Sequence, residues 1–297
     1  MNAPALGFIG FGEAAFWLAR SLREQGVTKV VAYDLHTSTP KRGELIRQRA
    51  QEAHARLLPR LADLPPECDI VFSAVTAAAA RTVGEESAAY LEPRQFYVDI
   101  NSVSPTVKQA VGAAMDARGV SFVEAAVMST VPPLGHRVPM LLCGPGARSF
   151  SELMSPYGMN LEVLDGPLGS ASAIKMFRSV IIKGLEALML ECVLGAEQYG
   201  ASDKVFASIS ASMPGIDWNK LAHYMIGRTA LHAERRVHEM EEVARTLADL
   251  GIEPIMASAT ARRIQTCADL DLKAQFNGRE PADYRDVVRA LGRGLAQ

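Results

Sequence analysis

The sequence contains few of the residues that build disulfide frameworks, metal centres or membrane spans. Its four cysteines are widely spaced among 297 residues and form no Cys-x-x-Cys pair. This excludes a disulfide scaffold and predicts a reducing, cytoplasmic setting. No His, Asp or Glu spacing is typical of a metal site, so we expect no metal. No apolar run reaches the roughly 18 residues of a membrane helix, and the first residues lack a basic leader, so we expect neither a membrane span nor a signal peptide.

An excess of charge of either sign is also missing. The chain has 31 Lys and Arg against 33 Asp and Glu, a net charge of −2, so no global positive field attracts nucleic acid. Gly-x-Ser-x-Gly nucleophile and phosphate-loop motifs are absent. The 48% of hydrophobic and 22% of charged residues are typical of a globular chain. The length predicts two domains.

Strand and helix patterns alternate over the first part of the chain and then stop. The predicted strands are residues 6–9, 29–33, 69–75, 95–100, 120–125 and 139–143, and the predicted helices between them are 13–25, 42–58, 81–90 and 106–118. This alternation predicts a mostly parallel sheet covered on both faces. Only helical patterns follow, at residues 172–199, 202–213, 217–250, 254–270 and 282–295. We therefore predict an α/β domain over residues 1–165 and an all-α domain over residues 166–297.

A glycine pattern follows the first predicted strand. Gly10 allows a tight turn, Gly12 allows the backbone to approach a pyrophosphate, and Ala15 keeps the next helix close to the strand. Asp34 ends the second predicted strand, where a carboxylate accepts hydrogen bonds from ribose hydroxyls. An ordinary strand–helix turn also uses small residues, but the combination predicts a Rossmann domain that binds a dinucleotide.

The same pattern predicts the cofactor contacts. We expect them from Gly10, Phe11, Gly12, Glu13, Ala14, Asp34, Val75, Thr76 and Asn101. The carboxylate of Asp34 repels a 2′-phosphate, which slightly favours NAD over NADP. Lys41 and Arg42 follow closely and could reach such a phosphate, or they simply begin a solvated helix.

Three further segments resemble the β-hydroxyacid dehydrogenase superfamily, which includes 3-hydroxyisobutyrate and 6-phosphogluconate dehydrogenases. Residues 99–105 (Asp-Ile-Asn-Ser-Val-Ser-Pro) resemble the family's Asp-x-Ser-Thr-x-Ser-Pro loop. Residues 124–130 stand in the place of Asp-Ala-Pro-Val-Ser-Gly-Gly, and residues 166–169 lead to Lys175, the position of the family's catalytic lysine. The segment 228–263 resembles a subgroup with a phosphogluconate dehydrogenase-like C-terminal domain of unknown function.

The resemblance implies an NAD(P)-dependent oxidoreductase that transfers a hydride between nicotinamide and a small β-hydroxy acid or related compound, with Lys175 as general acid and base. The expected substrate-binding residues are Asn101, Ser102, Ser129, Thr130, Ser179, His232 and Arg236. Simpler interpretations remain: Lys175 extends from a buried helix to solvent, and residues 101–102 form a turn or helix cap.

One charged stripe on the last long predicted helix has two interpretations. His232, Arg235, Arg236 and Glu239 share a helix face by their spacing. They form either an ion-paired surface or dimer seam, or an anion clamp that closes the active site, with Arg matching a carboxylate. The resemblance to dehydrogenases of hydroxy acids implies a small, anionic substrate, which such a clamp would hold.

Two other functions are alternatives to a hydroxyacid dehydrogenase. Imine reductases share this architecture, although their lysine position usually holds Asp or Tyr. A catalytically silent dinucleotide-binding module is the second alternative, because Met128, Arg178 and Ser179 depart from the family pattern. The predicted helix 172–199 is apolar nearly all round and must be covered. We therefore expect a homodimer built by residues after Gly169, with the charged stripe near the partner's active-site mouth.

Overall fold

The computed structural model describes residues 3–295. The chain divides into two compact units, one ending at Lys175 and the other beginning at Met176. This division lies inside the helix Ser170–Gln198, whereas the sequence placed the domain boundary at residues 165–166, just before that helix.

The first unit is an eight-stranded sheet with helices. Its strands are β1 Leu6–Ile9, β2 Val30–Tyr33, β3 Arg56–Leu57, β4 Ile70–Ser73, β5 Phe96–Asp99, β6 Ser121–Val127, β7 Met140–Cys143 and β8 Leu161–Val163. Its helices are α1 Glu13–Glu24, α2 Arg42–Glu52, α3 Ala77–Ala88, α4 Pro105–Asp116, α5 Val131–Leu134 and α6 Ala147–Met154. The strand order is β3-β2-β1-β4-β5-β6-β7-β8, and of these described strands only β6 and β7 pair antiparallel. The predicted mostly parallel α/β fold is confirmed.

Both faces of the sheet are buried, because successive strand residues point to opposite sides. Phe8 and Phe72 stack at 5.1 Å between ring centroids on one face, and Tyr97 and Phe122 stack at 6.3 Å on the other. The chain direction across the sheet reverses between β1 and β4. Ligands of open α/β sheets bind beyond the carboxyl ends of the strands at such a point.

Some elements of this unit differ from the prediction. The predicted helix 42–58 is wrong at its end: α2 stops at Glu52, because His54 adopts a left-handed backbone (φ 49°), and β3 follows. The sequence also gave no sign of α6 or β8, which are eight and three residues long. Elements this short have too few residues to show a period clearly.

The second unit is helical throughout its described residues, as predicted. α7 Ser170–Gln198 enters it from the first unit, and α8 Ser202–Ser212, α9 Trp218–Asp249, α10 Ile255–Asp269, α11 Leu272–Gln275 and α12 Tyr284–Leu295 follow. Its core includes Leu190, Phe206, Ile226, Ile264 and Leu291. Within residues 3–295, no helix combines the length and the hydropathy that crossing a bilayer requires.

Candidate active site

The turn between β1 and α1 leaves the start of α1 open. Gly10 has φ +83°, and a Cβ on it would lie 2.5 Å from the carbonyl oxygen of Ala74. Gly12 is the N-cap residue of α1. Among residues 3–295, no side chain caps this helix, and a Cβ on Gly12 would meet nothing within 4 Å apart from its chain neighbours. Free space above the positive end of a helix is what a pyrophosphate needs. The residues present therefore fit a dinucleotide.

Asp34 lies beside this turn, directly after β2. One carboxylate oxygen accepts from the Phe11 N–H at 2.8 Å, and the other accepts from the His36 N–H at 2.9 Å. These bonds fix the carboxylate next to the glycine turn, where the ribose of a dinucleotide lies in Rossmann folds. The Phe11 side chain is fully buried against Phe8, so only its backbone can face a cofactor.

The remaining predicted cofactor residues lie on the rim of the same edge. Glu13 is exposed and Ala14 half-buried in the first turn of α1. Thr76 is exposed at the N-cap of α3. Lys41 and Arg42 are both exposed at the start of α2.

The side chain of Asn101 joins two loops at the carboxyl edge. Its Oδ1 accepts from the Val75 N–H at 2.7 Å. Its Nδ2 donates to Ser73 Oγ at 2.9 Å and to Asp99 Oδ1 at 2.7 Å. Because both N–H bonds of the amide are used within the chain, the side chain has no donor left for a substrate oxygen. Asn101 thus connects the loops that follow β4 and β5.

Glu124 on β6 closes the start of α7. Its side chain is fully buried; one carboxylate oxygen accepts from the Gly169 N–H at 2.7 Å and the other from the Ser172 N–H at 2.6 Å. A carboxylate here is favourable, because the first turn of a helix carries partial positive charge. Lys175 lies half-buried on the second turn. The sequence placed Glu124 in a family motif but did not predict that it anchors the lysine helix.

The predicted hydroxyl residues follow neighbouring strands. Ser102 is half-buried after β5, and Ser129 is exposed after β6. Thr130 is the N-cap residue of α5 and is half-buried. Because β5 and β6 are parallel, these loops leave the same edge of the sheet. Within the described chain, no group of His, Cys, Asp or Glu is arranged to hold a metal.

In the second unit, Arg236 is an ion-pair partner. Its guanidinium contacts the Glu186 carboxylate and donates to Thr229 Oγ1 at 3.3 Å. Both charged side chains are about 5% exposed. Burial lowers the pKa of Arg236 to about 10, while the charge of Glu239 opposes that effect. The guanidinium therefore neutralises a buried carboxylate of its own chain that lies outside the predicted stripe.

A second ion pair lies next to it. Lys183 Nζ is 3.5 Å from a Glu239 carboxylate oxygen, and Arg235 is 3.0 Å from the other. Burial lowers the pKa of Lys183, and Glu239 counters this by favouring the ammonium form. His232, predicted to bind substrate, departs from helical geometry (φ −122°, ψ 22°) and bends α9. Ser179, also predicted to bind substrate, is buried on α7.

Family models match both parts of the chain. The model described as "NAD binding domain of 6-phosphogluconate dehydrogenase" covers residues 5–153. A "Domain of unknown function (DUF1932)" covers residues 196–267. The first match spans half of the chain, and the second lies in the helical unit.

Solved structures show the same relationship. A conserved hypothetical protein from Sinorhizobium meliloti 1021 is 36% identical, with 98% of this chain and 96% of that chain covered and a TM-score of 0.77. The conserved protein MTH1747, of unknown function and described as structurally similar to 3-hydroxyacid dehydrogenases, is 32% identical over 93% of this chain and 99% of its own, with a TM-score of 0.72.

A characterised enzyme shares the fold at lower identity. The 3-hydroxyisobutyrate dehydrogenase of Mycobacterium tuberculosis, solved with L-serine, is 16% identical over 97% of this chain and 99% of its own, with a TM-score of 0.71. The predicted resemblance is confirmed: the chain belongs to the β-hydroxyacid dehydrogenase-like family, with the NAD-binding domain of 6-phosphogluconate dehydrogenase followed by a DUF1932 domain.

Proposed function

We propose that the protein is an NAD(P)-dependent oxidoreductase that interconverts a small, anionic β-hydroxy acid, or a related alcohol, and its carbonyl form. The observation that carries the proposal is the arrangement at the carboxyl edge of the sheet. There, α1 begins at the uncapped Gly12, and the helix that carries Lys175 is anchored by the buried Glu124. The first feature fits a dinucleotide, and the second fixes an amine in place.

The glycine turn and Asp34 bind the adenosine half of the cofactor. The backbone N–H groups at the start of α1 bind the pyrophosphate, and the Asp34 carboxylate accepts from ribose hydroxyls, which slightly favours NAD. When bound, the nicotinamide accepts or supplies the hydride. Val75 and Asn101 support that end of the site through their shared hydrogen bond.

Lys175 moves the proton. In oxidation its neutral amine takes the proton of the substrate hydroxyl, and in reduction its ammonium returns one to the developing alkoxide. Ser102, Ser129 and Thr130 hold the substrate's oxygens through their hydroxyls. The dehydrogenase solved with L-serine, itself a small β-hydroxy acid, supports this substrate class.

Lys175→Ala tests the proposal. We expect kcat to fall by about 10²–10⁴, the range for a positioned acid or base, with NADH affinity nearly unchanged, since the glycine turn is untouched. Lys204→Ala, which removes an exposed lysine from α8, is the matched control and should behave as wild type. A Lys175→Ala variant that keeps most of its kcat on a panel of hydroxy acids would remove the lysine from the mechanism.

The proposal includes a homodimer. Ile174, Phe177, Ile181 and Leu188 recur on one face of α7 and are 41–69% exposed in the single chain. A second copy would cover this row, with an interface on the order of 2,000 Å². Light scattering at micromolar concentration should give twice the chain mass for wild type and a lower mass for Ile181→Asp. A monomeric wild type would contradict the dimer.

A further inference from the structure

Lys108 is a fully buried lysine in the dinucleotide-binding unit. It lies on α4, and its residue exposure is 0%. Lysine is almost never fully buried unless it is paired. The pairing partner therefore indicates what the ammonium does.

The partner is Asp99, the last residue of β5. Lys108 Nζ lies 2.9 Å from Asp99 Oδ1 and donates to the Asp99 carbonyl oxygen at 2.8 Å. Both side chains are 1% exposed. A buried ion pair of this kind carries a desolvation cost, and removing one partner leaves the other charge uncompensated.

The same carboxylate oxygen also holds Asn101. Asp99 Oδ1 accepts from the Asn101 N–H at 2.9 Å and from its Nδ2 at 2.7 Å. Asn101 in turn fixes Val75, which lies two residues beyond the end of β4. A continuous set of bonds thus runs from the ammonium to both loops at the carboxyl ends of β4 and β5. β4 pairs directly with β1, the strand that precedes the glycine turn, and β5 is the next strand beyond β4.

We propose that Lys108 is a positioning residue: its buried ammonium holds Asp99 and, through it, the Asn101 and Val75 loops in the arrangement that receives the nicotinamide half of the dinucleotide. The proposal rests on the proposed function. Without the ammonium, the Asp99 carboxylate must turn away or take up a proton, because a lone buried charge is unstable. Either change disrupts the bonds to Asn101, while Gly12 and Asp34 keep their geometry.

The test compares two ligands, NADH and ADP-ribose, which lacks the nicotinamide. In calorimetric titrations of Lys108→Met, NADH affinity should fall about tenfold or more, while ADP-ribose affinity stays within about twofold of wild type. Lys29→Met removes a half-exposed lysine that pairs with Glu67 in the same unit. It is the matched control and should leave both affinities unchanged.

A double variant separates positioning from stability. Asp99→Asn with Lys108→Met removes both buried charges, so the thermal midpoint should return towards the wild-type value even if Lys108→Met alone does not fold. The affinity for NADH relative to ADP-ribose should remain at least about threefold below wild type, because Asn101 has lost its charged acceptor.

Three results have distinct meanings. A Lys108→Met variant with the wild-type ratio of the two affinities would overturn the proposal. So would a double variant that recovers both the stability and the ratio, since Lys108 would then act on the fold alone. If the wild-type protein binds neither ADP-ribose nor NADH at any concentration tested, that result would instead contradict the proposed function.

Discussion

The N-terminal ends of α1 and α7 differ in whether a side chain of the protein accepts hydrogen bonds from their N–H groups. The end of α1 is open, and the end of α7 is closed by Glu124. Both helices begin near the carboxyl edge of the sheet, and in both the first-turn N–H groups lack a partner within the helix and carry partial positive charge. At α1 the N-cap is Gly12, which has no side chain, and in the described part of the chain only its sequence neighbours lie within 4 Å of the position that a Cβ would take. At α7 the buried Glu124 accepts from two N–H groups.

The difference shows how one motif gives two functions. An open helix start can bind an anion from solution, whereas a start occupied by the chain's own carboxylate cannot. The bonds to Glu124 instead fix the helix, and with it Lys175, to β6. One start is suited to binding a phosphate, and the other to holding α7, with Lys175 on it, in a fixed position.

Placing a side chain at Gly12, at the start of α1, should have the largest effect on cofactor binding. Gly12→Asp puts a carboxylate at the proposed pyrophosphate site, so we expect NADH affinity to fall at least about 100-fold through charge repulsion and lost space. The fold should keep its stability or gain about a few tenths of a kcal/mol, since Asp is only slightly better than Gly as an N-cap residue. Calorimetry and thermal melts measure both. Gly12→Ala, which adds bulk without charge, should cost less, and a Gly12→Asp variant that binds NADH normally would show that α1 is not the phosphate site.

Removing the Glu124 carboxylate from the start of α7 should have the next largest effect. Glu124→Ala leaves the N–H groups of Gly169 and Ser172 without acceptors in the interior, at a cost of about 2–5 kcal/mol in the free energy of unfolding. Glu124→Gln keeps one acceptor oxygen and should lose about half as much. In the folded variants, kcat should fall while NADH affinity stays near wild type. Chemical denaturation and steady-state kinetics measure this, and an unchanged unfolding free energy would contradict the anchoring role.

Asp34 next to the open start should set the choice of dinucleotide. Asp34→Ser removes the charge that repels a 2′-phosphate, so the preference for NADH over NADPH should weaken by about tenfold. Asp34→Asn removes the charge but keeps an acceptor for the Phe11 N–H. It therefore distinguishes the effect of the charge from the effect of the hydrogen bond to Phe11. Affinities for both dinucleotides provide the measurement. A wild type that strongly prefers NADPH would instead assign cofactor choice to Lys41 or Arg42.

The smallest effect concerns the pH dependence of stability, which we assign to His136 rather than to either helix start. Burial lowers the pKa of His136 below 6.5, and the charge of Arg137 lowers it further. The unfolded chain therefore binds that proton more readily, and stability should decline as pH falls below about 6.5. His136→Gln should flatten the decline, whereas His54→Asn, at an exposed left-handed position, should not. Equal slopes for both variants would reject this assignment.

The sequence predicted the glycine turn at the start of α1 better than the Glu124 contacts at the start of α7. Gly10, Gly12 and Asp34 follow a local spacing that reports backbone geometry directly, and the structure places all three in one turn region. The function of Glu124 depends on partners 45 and 48 residues away, and no local pattern encodes such a distance.

Lys108 shows the same limit. In sequence it is one polar residue of a helix, and only the tertiary structure places it against Asp99 in the interior. The side-chain donors of Asn101 were expected to face a ligand, yet they bond within the chain. Polar residues near a site are hard to assign from sequence, because ligand and internal partners use the same atoms.

The central claim is that the open start of α1 binds a nicotinamide dinucleotide. Its most direct test is a titration of the wild-type protein with NADH and NADPH, followed by calorimetry or by the fluorescence of the reduced nicotinamide. The account predicts saturable binding of at least one of them in the micromolar range, with one site per chain. Absence of binding of both dinucleotides at millimolar concentration would contradict it.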